Sequence, residues 1–179
     1  MWKSRSRQLL LDRAPWLKVW IEQIELPNGV IIDDYYRWQT RSWVVVFAVT
    51  VDGRVPLVRQ YRYGLDETTL ELPAGYIEDG EAPELSAQRE LREEVGCAAP
   101  SFEYLGGYAM MAPRGDMKMH LVVARDAQLV GAQNLEVTED IEVVWMTLPE
   151  LREAWRTGAI NQATHAQAVA RGLEAVGGL

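Results

Sequence analysis

The sequence predicts an α+β fold, an α/β/α sandwich in which a mixed β-sheet lies between helices, with an N-terminal antiparallel β-hairpin extension. Two observations carry that prediction. Strand-like and helix-like segments follow one another without regular βαβ alternation, and 179 residues with 48% apolar content suffice for one compact hydrophobic core.

In chain order, residues 16–26 and 30–38 are rich in Trp, Val, Ile and Tyr, and Pro27-Asn28-Gly29 between them is a turn signal, so the two read as the hairpin. A second pair of strands, 43–51 and 55–61, is joined through Asp52-Gly53, a dipeptide favoured where both turn residues take positive φ. Short strands are expected at 69–72 and 74–78. From 81 to 95 the period becomes helical. Pro83 suits the first turn, Glu84, Ala87, Leu91 and Val95 recur at spacings of three and four, and Gly96 suits a left-handed stop. Further strands are expected at 102–110, 117–125 and 141–147, and two helices at 149–156 and 162–176. The expected division is an extension over residues 1–40, open to exchange between two subunits, and a main domain over 41–179 that includes the C-terminal helices.

Composition removes several function classes. Eighteen basic against 26 acidic residues leave a net charge of −8, which opposes binding to nucleic acid because that affinity comes from neutralising phosphates. The longest unbroken apolar run, 43–49, falls far short of the roughly 20 residues that span a bilayer, so no membrane role is expected. Lys3, Arg5 and Arg7 precede no apolar segment and read as a frayed basic tail rather than a secretory signal, which makes a cytoplasmic location the expectation. Cys97 is the single cysteine, and with only His120 and His165 beside it neither a disulfide nor a Cys/His zinc site is available. Neither histidine has a carboxylate or serine partner at informative spacing, so neither is given a catalytic role. A phosphorylated substrate must then be met by a few placed arginines or by divalent cations.

Residues 75–97 hold the candidate chemistry. At about 100° per residue, Glu90, Glu93 and Glu94 fall within an arc of roughly 100°, beside an apolar stripe of Ala87, Leu91 and Val95. Carboxylates about 6 Å apart at an effective dielectric of about 20 repel by nearly 3 kcal/mol per pair, and by under about 1 kcal/mol in water. A partly buried cluster needs a hard cation such as Mg²⁺ or Mn²⁺, which takes oxygen ligands and couples carboxylates to substrate phosphates. Arg89 is placed to pair with Glu93 or Glu81. A generic Arg-Glu-Leu-Arg-Glu-Glu run is more often a solvated helix face, but the spacing Gly75-x5-Glu81-x7-Arg89-Glu90-Leu91-x-Glu93-Glu94-x-Gly96-Cys97 decides otherwise.

That segment resembles the signature of the Nudix hydrolases at every position, with Leu91 and Cys97 in its two apolar slots. The flanks Val58-Arg59-Gln60-Tyr61-Arg62 and Leu70-Glu71-Leu72-Pro73-Ala74-Gly75, with Pro113 sixteen residues past the motif, are similar to the ADP-ribose and ADP-sugar pyrophosphatase group. The resemblance implies a motif helix whose glutamates face divalent cations, and Mg²⁺- or Mn²⁺-dependent hydrolysis of a nucleoside diphosphate sugar. The foremost substrate is ADP-ribose, giving AMP and a sugar phosphate. It implies Glu90 and Glu94 as leading metal ligands, Glu93 as a further ligand or base, and the Ala74 carbonyl as a backbone ligand. Glu81 and Arg89 become structural support.

By the same likeness, Arg62 contacts the diphosphate or terminal ribose, the other reading being a surface arginine at a strand end. Tyr76 touches substrate or packs in the core, and Tyr36 and Trp38 bind adenine or serve as core or interface aromatics. Trp16 and Trp20 read as packing for an exchanged hairpin in a homodimer. Two departures stand out: Val137 occupies a position where this group often carries an acid two before Glu139, and the loop at Arg114-Gly115-Asp116-Met117 is short and lacks a Ser-Glu pair. The general base therefore lies among Glu139, Glu136 and Glu93, with Glu139 the choice. Other nucleotide sugars, a dinucleotide, or a nucleotide-sensing module without turnover are the alternatives.

Overall fold

The computed structural model describes residues 1–179. Two compact units divide the chain: Met1–Ser42 with Tyr108–Met119, and Trp43–Gly107 with His120–Leu179.

The first unit is built on an antiparallel sheet in the order β1-β2-β3, from β1 (Lys3–Arg13), β2 (Leu17–Glu25) and β3 (Ile31–Gln39). The expected hairpin is therefore the β2–β3 part of a three-stranded sheet. Its turn closes where Leu26 N–H donates to the Val30 carbonyl at 2.9 Å, with Gly29 at φ 83°. The expected frayed tail is instead β1, because its charges are met across the ladder. Arg7 Nε donates to Glu22 at 2.9 Å, and Arg5 pairs with Glu25. Alternating Ser and Arg in this stretch hides a strand from an apolar-periodicity reading. Trp16 lies in the turn before β2, not on the strand with Trp20.

The second unit contains β4 (Trp43–Thr50), β5 (Arg54–Arg62), β6 (Glu67–Glu71), β7 (Ala74–Tyr76), α1 (Pro83–Val95) and β8 (Cys97–Ala98). It continues through most of β9 (Ser101–Ala109) and β10 (Lys118–Leu129), then β11 (Ile141–Thr147), α2 (Leu148–Arg156) and α3 (Ala163–Ala175). One sheet runs β7-β4-β10-β8 with β9 also on β10, and a second runs β11-β5-β6.

The β4–β5 connection differs from the expected paired hairpin. Thr50 carbonyl accepts from Gly53 N–H at 2.9 Å, but only Gly53 of the dipeptide has positive φ, and the two strands pair in different sheets. The reason is burial of β4 on both faces. Val44, Val46 and Ala48 join Ala87, Leu91 and Val95 of α1 in one apolar cluster. On the alternate face Phe47 lies against Gly172 of α3 so closely that a Cβ there would overlap its ring. Helices on both sides of β4 make the sandwich.

Local chemistry sets the helix ends. Pro83 opens α1 without needing an N–H partner, and Gly96 closes it at φ 73°, donating to the Arg92 carbonyl at 3.0 Å. Thr147 and Glu150 form a reciprocal capping box at the start of α2. No helix is long and apolar enough to cross a membrane.

Candidate active site

Helix α1 carries two carboxylates, one turn apart, on the face it buries. Glu90 and Glu94 are 6% and 4% exposed. Burial pushes both upward, Glu90 to about 7 against the lowering effect of Arg89, and Glu94 to about 8 against its bond from Ala74 N–H. Each also raises or is raised by neighbouring carboxylates: Glu93 and Glu139 act on Glu90, and Glu90 and Glu139 act on Glu94. Glu94 accepts the Ala74 N–H at 2.9 Å, which ties β7 to the helix. Gly75 follows, and a Cβ there would fall on the Glu90 carboxylate. Its requirement is space, since its φ is not in the left-handed region.

Glu93 lies on the same arc of the helix, as expected, but is less buried than the other two. Its side chain is 37% exposed and pairs with Arg89 at 3.2 Å. Of the three carboxylates on this face, two are buried. Arg89 answers both expected pairings, bonding Glu81 at 3.2 Å and Glu93, and it also reaches Glu90 at 2.5 Å and the Tyr76 carbonyl at 3.0 Å. It fastens the 76–81 loop to the helix.

Glu139 sits in the loop before β11, half-buried, with its Oε2 accepting Glu136 N–H at 2.9 Å. Glu136 and Val137 are exposed. The loop is laced to the end of α1. Gly96 carbonyl accepts from Val130 and Gly131, Glu93 carbonyl from Asn134, and Glu94 carbonyl from the Gln133 side chain.

Arg62, at the end of β5, lies within electrostatic reach of Glu94 and Tyr76. Its Nε and Nη2 bond the two oxygens of Glu71 at 2.7 and 2.5 Å. Tyr76 is 46% exposed. The structure thus brings Glu90, Glu94, Glu139, Arg62 and Tyr76 into one neighbourhood of the second unit. Tyr36 and Trp38 belong to the first unit, on one side of β3. The Trp38 N–H there donates to the Arg114 carbonyl at 3.1 Å, and Tyr36 is 44% exposed.

Two residues escaped the sequence reading. Glu71, fully buried, accepts from Arg62, Thr69, Gln162 and His165. Burial would raise it, but Arg62, His165 and Thr69 together hold it well below the usual carboxylate range. His165 thus has a carboxylate partner that no informative spacing announced, since 94 positions of sequence separate the two. His120 bonds the Tyr104 hydroxyl at 3.0 Å.

The donor set fits a hard divalent cation. Two adjacent buried carboxylates repel each other without full compensation, and their donors are oxygens only. No three His, Cys, Asp or Glu side chains form a complete protein cage. Mg²⁺ does not need one, since it binds through one or two carboxylates and takes its other ligands from water and phosphate.

A family model of the NUDIX domain matches residues 39–167. The chain belongs to the Nudix family. Among curated relatives of this Nudix protein, an ADP-ribose pyrophosphatase of Bacillus subtilis is 30% identical over 154 residues, covering 86% of this chain and 83% of the relative. A CMP-5'-(N-acetyl-N-hydroxy-3-aminopropyl)phosphonate hydrolase of Streptomyces rubellomurinus is 33% identical over 180 residues, covering 99% and 83%. A crystal structure of an ADP compounds hydrolase superposes with TM-score 0.85 at 26% identity, covering 99% of this chain and 97% of that one. The Nudix α+β fold expected from the motif is the fold observed.

Proposed function

We propose that this Nudix chain hydrolyses the pyrophosphate bond of a nucleoside diphosphate sugar with Mg²⁺ or Mn²⁺, acting foremost on ADP-ribose to give AMP and ribose 5-phosphate. The observation that carries the reading is the pair of buried carboxylates, Glu90 and Glu94, whose burial pushes them to about 7 and about 8 even though Arg89 pairs with the first and Arg62 bears on the second. Glu90, Glu94 and the Ala74 carbonyl are assigned to the metal, with Glu93 at the rim as a further oxygen donor or base. When bound, such a cation offsets phosphoryl charge and lowers the pKa of the attacking water.

Glu139 is assigned as the base that takes a proton from water as its oxygen bonds phosphorus and the bridging P–O bond breaks. Glu139 bears electrostatically on both Glu90 and Glu94. Arg62 presents its Nη1 edge to the diphosphate, Tyr76 is assigned to a substrate contact, and Tyr36 and Trp38 are assigned to adenine. A homodimer and a cytoplasmic setting belong to the same proposal. The exposed Trp2, Leu9, Leu10, Trp16 and Ile31 of the first unit support the dimer.

The test is Glu94→Gln assayed on ADP-ribose with Mg²⁺. Loss of turnover by roughly a hundredfold or more, with loss of Mg²⁺ binding, is expected. Retained Mg²⁺-dependent phosphate chemistry would overturn the assignment, and binding without turnover in the wild type would favour a sensing module. The relative that acts on a CMP phosphonate favours a second reading in which the base is not adenine. A panel of ADP-, CDP- and UDP-linked sugars separates the two.

A further inference from the structure

Beneath the Arg62 side chain lies a polar network that neither the signature motif nor the metal assignment uses. Glu71 ends β6 and is completely buried. Its Oε1 accepts from Arg62 Nε at 2.7 Å, from Gln162 Nε2 at 2.5 Å and from the Thr69 hydroxyl. Its Oε2 accepts from Arg62 Nη2 at 2.5 Å and faces His165 Nε2 at 3.1 Å. His165 is itself buried, and its Nδ1 accepts the Leu72 N–H at 3.2 Å. With Nδ1 accepting, the Nε2 side of the ring is the edge that donates to Glu71.

Every donor around Glu71 is thereby directed, and the carboxylate is satisfied from β5, β6 and α3 at once. Ion pairs taken out of water contribute little to stability on balance, so stability alone does not account for this one. What the network does fix is orientation. A bidentate fork sets the guanidinium plane and leaves Nη1 as the outward edge, on a side chain 40% exposed that bears electrostatically on Glu94. Arg62 without Glu71 would keep its charge but sample many rotamers.

We infer that Glu71, with Gln162 and His165 from the α3 end of the chain, is a positioning residue that aims the Arg62 guanidinium at the substrate diphosphate. This rests on the reading of Arg62 as a diphosphate contact under the proposed function. The fixed edge meets the phosphoryl oxygens without ordering a side chain in the encounter, so its loss raises KM and lowers kcat together.

A double-mutant cycle tests the inference, with ADP-ribose and Mg²⁺ as probe. Arg62→Ala is expected to lower kcat/KM at least tenfold, and Glu71→Gln to lower it about as far while heats of Mg²⁺ binding stay unchanged. In the Arg62→Ala background, Glu71→Gln should then add less than twofold. A full multiplicative loss there would show that Glu71 acts on the fold, and would overturn the inference while leaving Arg62 in place. Arg62→Ala with unchanged kcat/KM would remove the Arg62 contact itself, and the inference with it. Should Glu71→Gln not fold, Gln162→Ala carries the same cycle, because the Gln162 side chain makes no helix-cap bond. It is expected to cost about threefold alone and nothing further without Arg62, and equal losses in both backgrounds overturn the inference.

Discussion

Gly75 places its backbone where any side chain would occupy the Glu90 carboxylate. Gly75→Ala must therefore turn the Glu90 carboxylate aside or displace β7. Overpacking of this kind costs about 1–3 kcal/mol. The expected outcome is a stable protein with Mg²⁺ affinity and kcat/KM each reduced at least tenfold, read by calorimetric titration and by turnover. The residue scale was partly legible in the sequence. The motif spacing gave Glu90 and Glu94 at once, because i and i+4 on a helix share a face. The greater exposure of Glu93 was not legible, nor was the way Arg89 divides its donors among Glu81, Glu90 and Glu93.

Helix α3 reaches the second unit's core through a glycine. Gly172 sits on the Phe47 ring, and the same helix delivers His165 while Gln162 precedes it. Gly172→Ala is expected to destabilise by about 1–3 kcal/mol, measured by chemical denaturation, with partial recovery on adding Phe47→Leu. Element positions were the most legible part of the sequence. β11 coincides with its expected span of 141–147, and α1 lies within the expected 81–95, where a helical period runs to a glycine stop. The strands β1 and β8 were not legible. The first is held by cross-strand ion pairs instead of apolar alternation, and the second is two residues long.

For the whole molecule, the buried pair sets a pH dependence with a definite sign. Glu90 and Glu94 are raised above the unfolded carboxylate range to about 7 and about 8, so the folded protein holds more protons than the unfolded chain between about pH 5 and pH 8. Metal-free stability then falls as pH rises through that window, by up to about 1.4 kcal/mol per pH unit for each proton released. Melting in chelator should show Tm dropping across this range, and excess Mg²⁺ should restore it most at the alkaline end. A metal-free Tm that climbs from pH 5 to pH 8 would contradict the upward shift of the buried pair. Glu71 acts oppositely. Its contribution is present above the ordinary carboxylate pKa and is lost as pH falls below it. Such pairings were invisible in the sequence, because Glu71 and His165 meet only when α3 docks.

The lacing of the 130–134 segment to the end of α1 has a mechanical consequence. Four hydrogen bonds join Gly96, Glu93 and Glu94 carbonyls to the stretch leading to Glu139. Any displacement of residues 130–134 would have to break these bonds at the helix terminus first, so this stretch moves together with the end of the helix that carries Glu90 and Glu94.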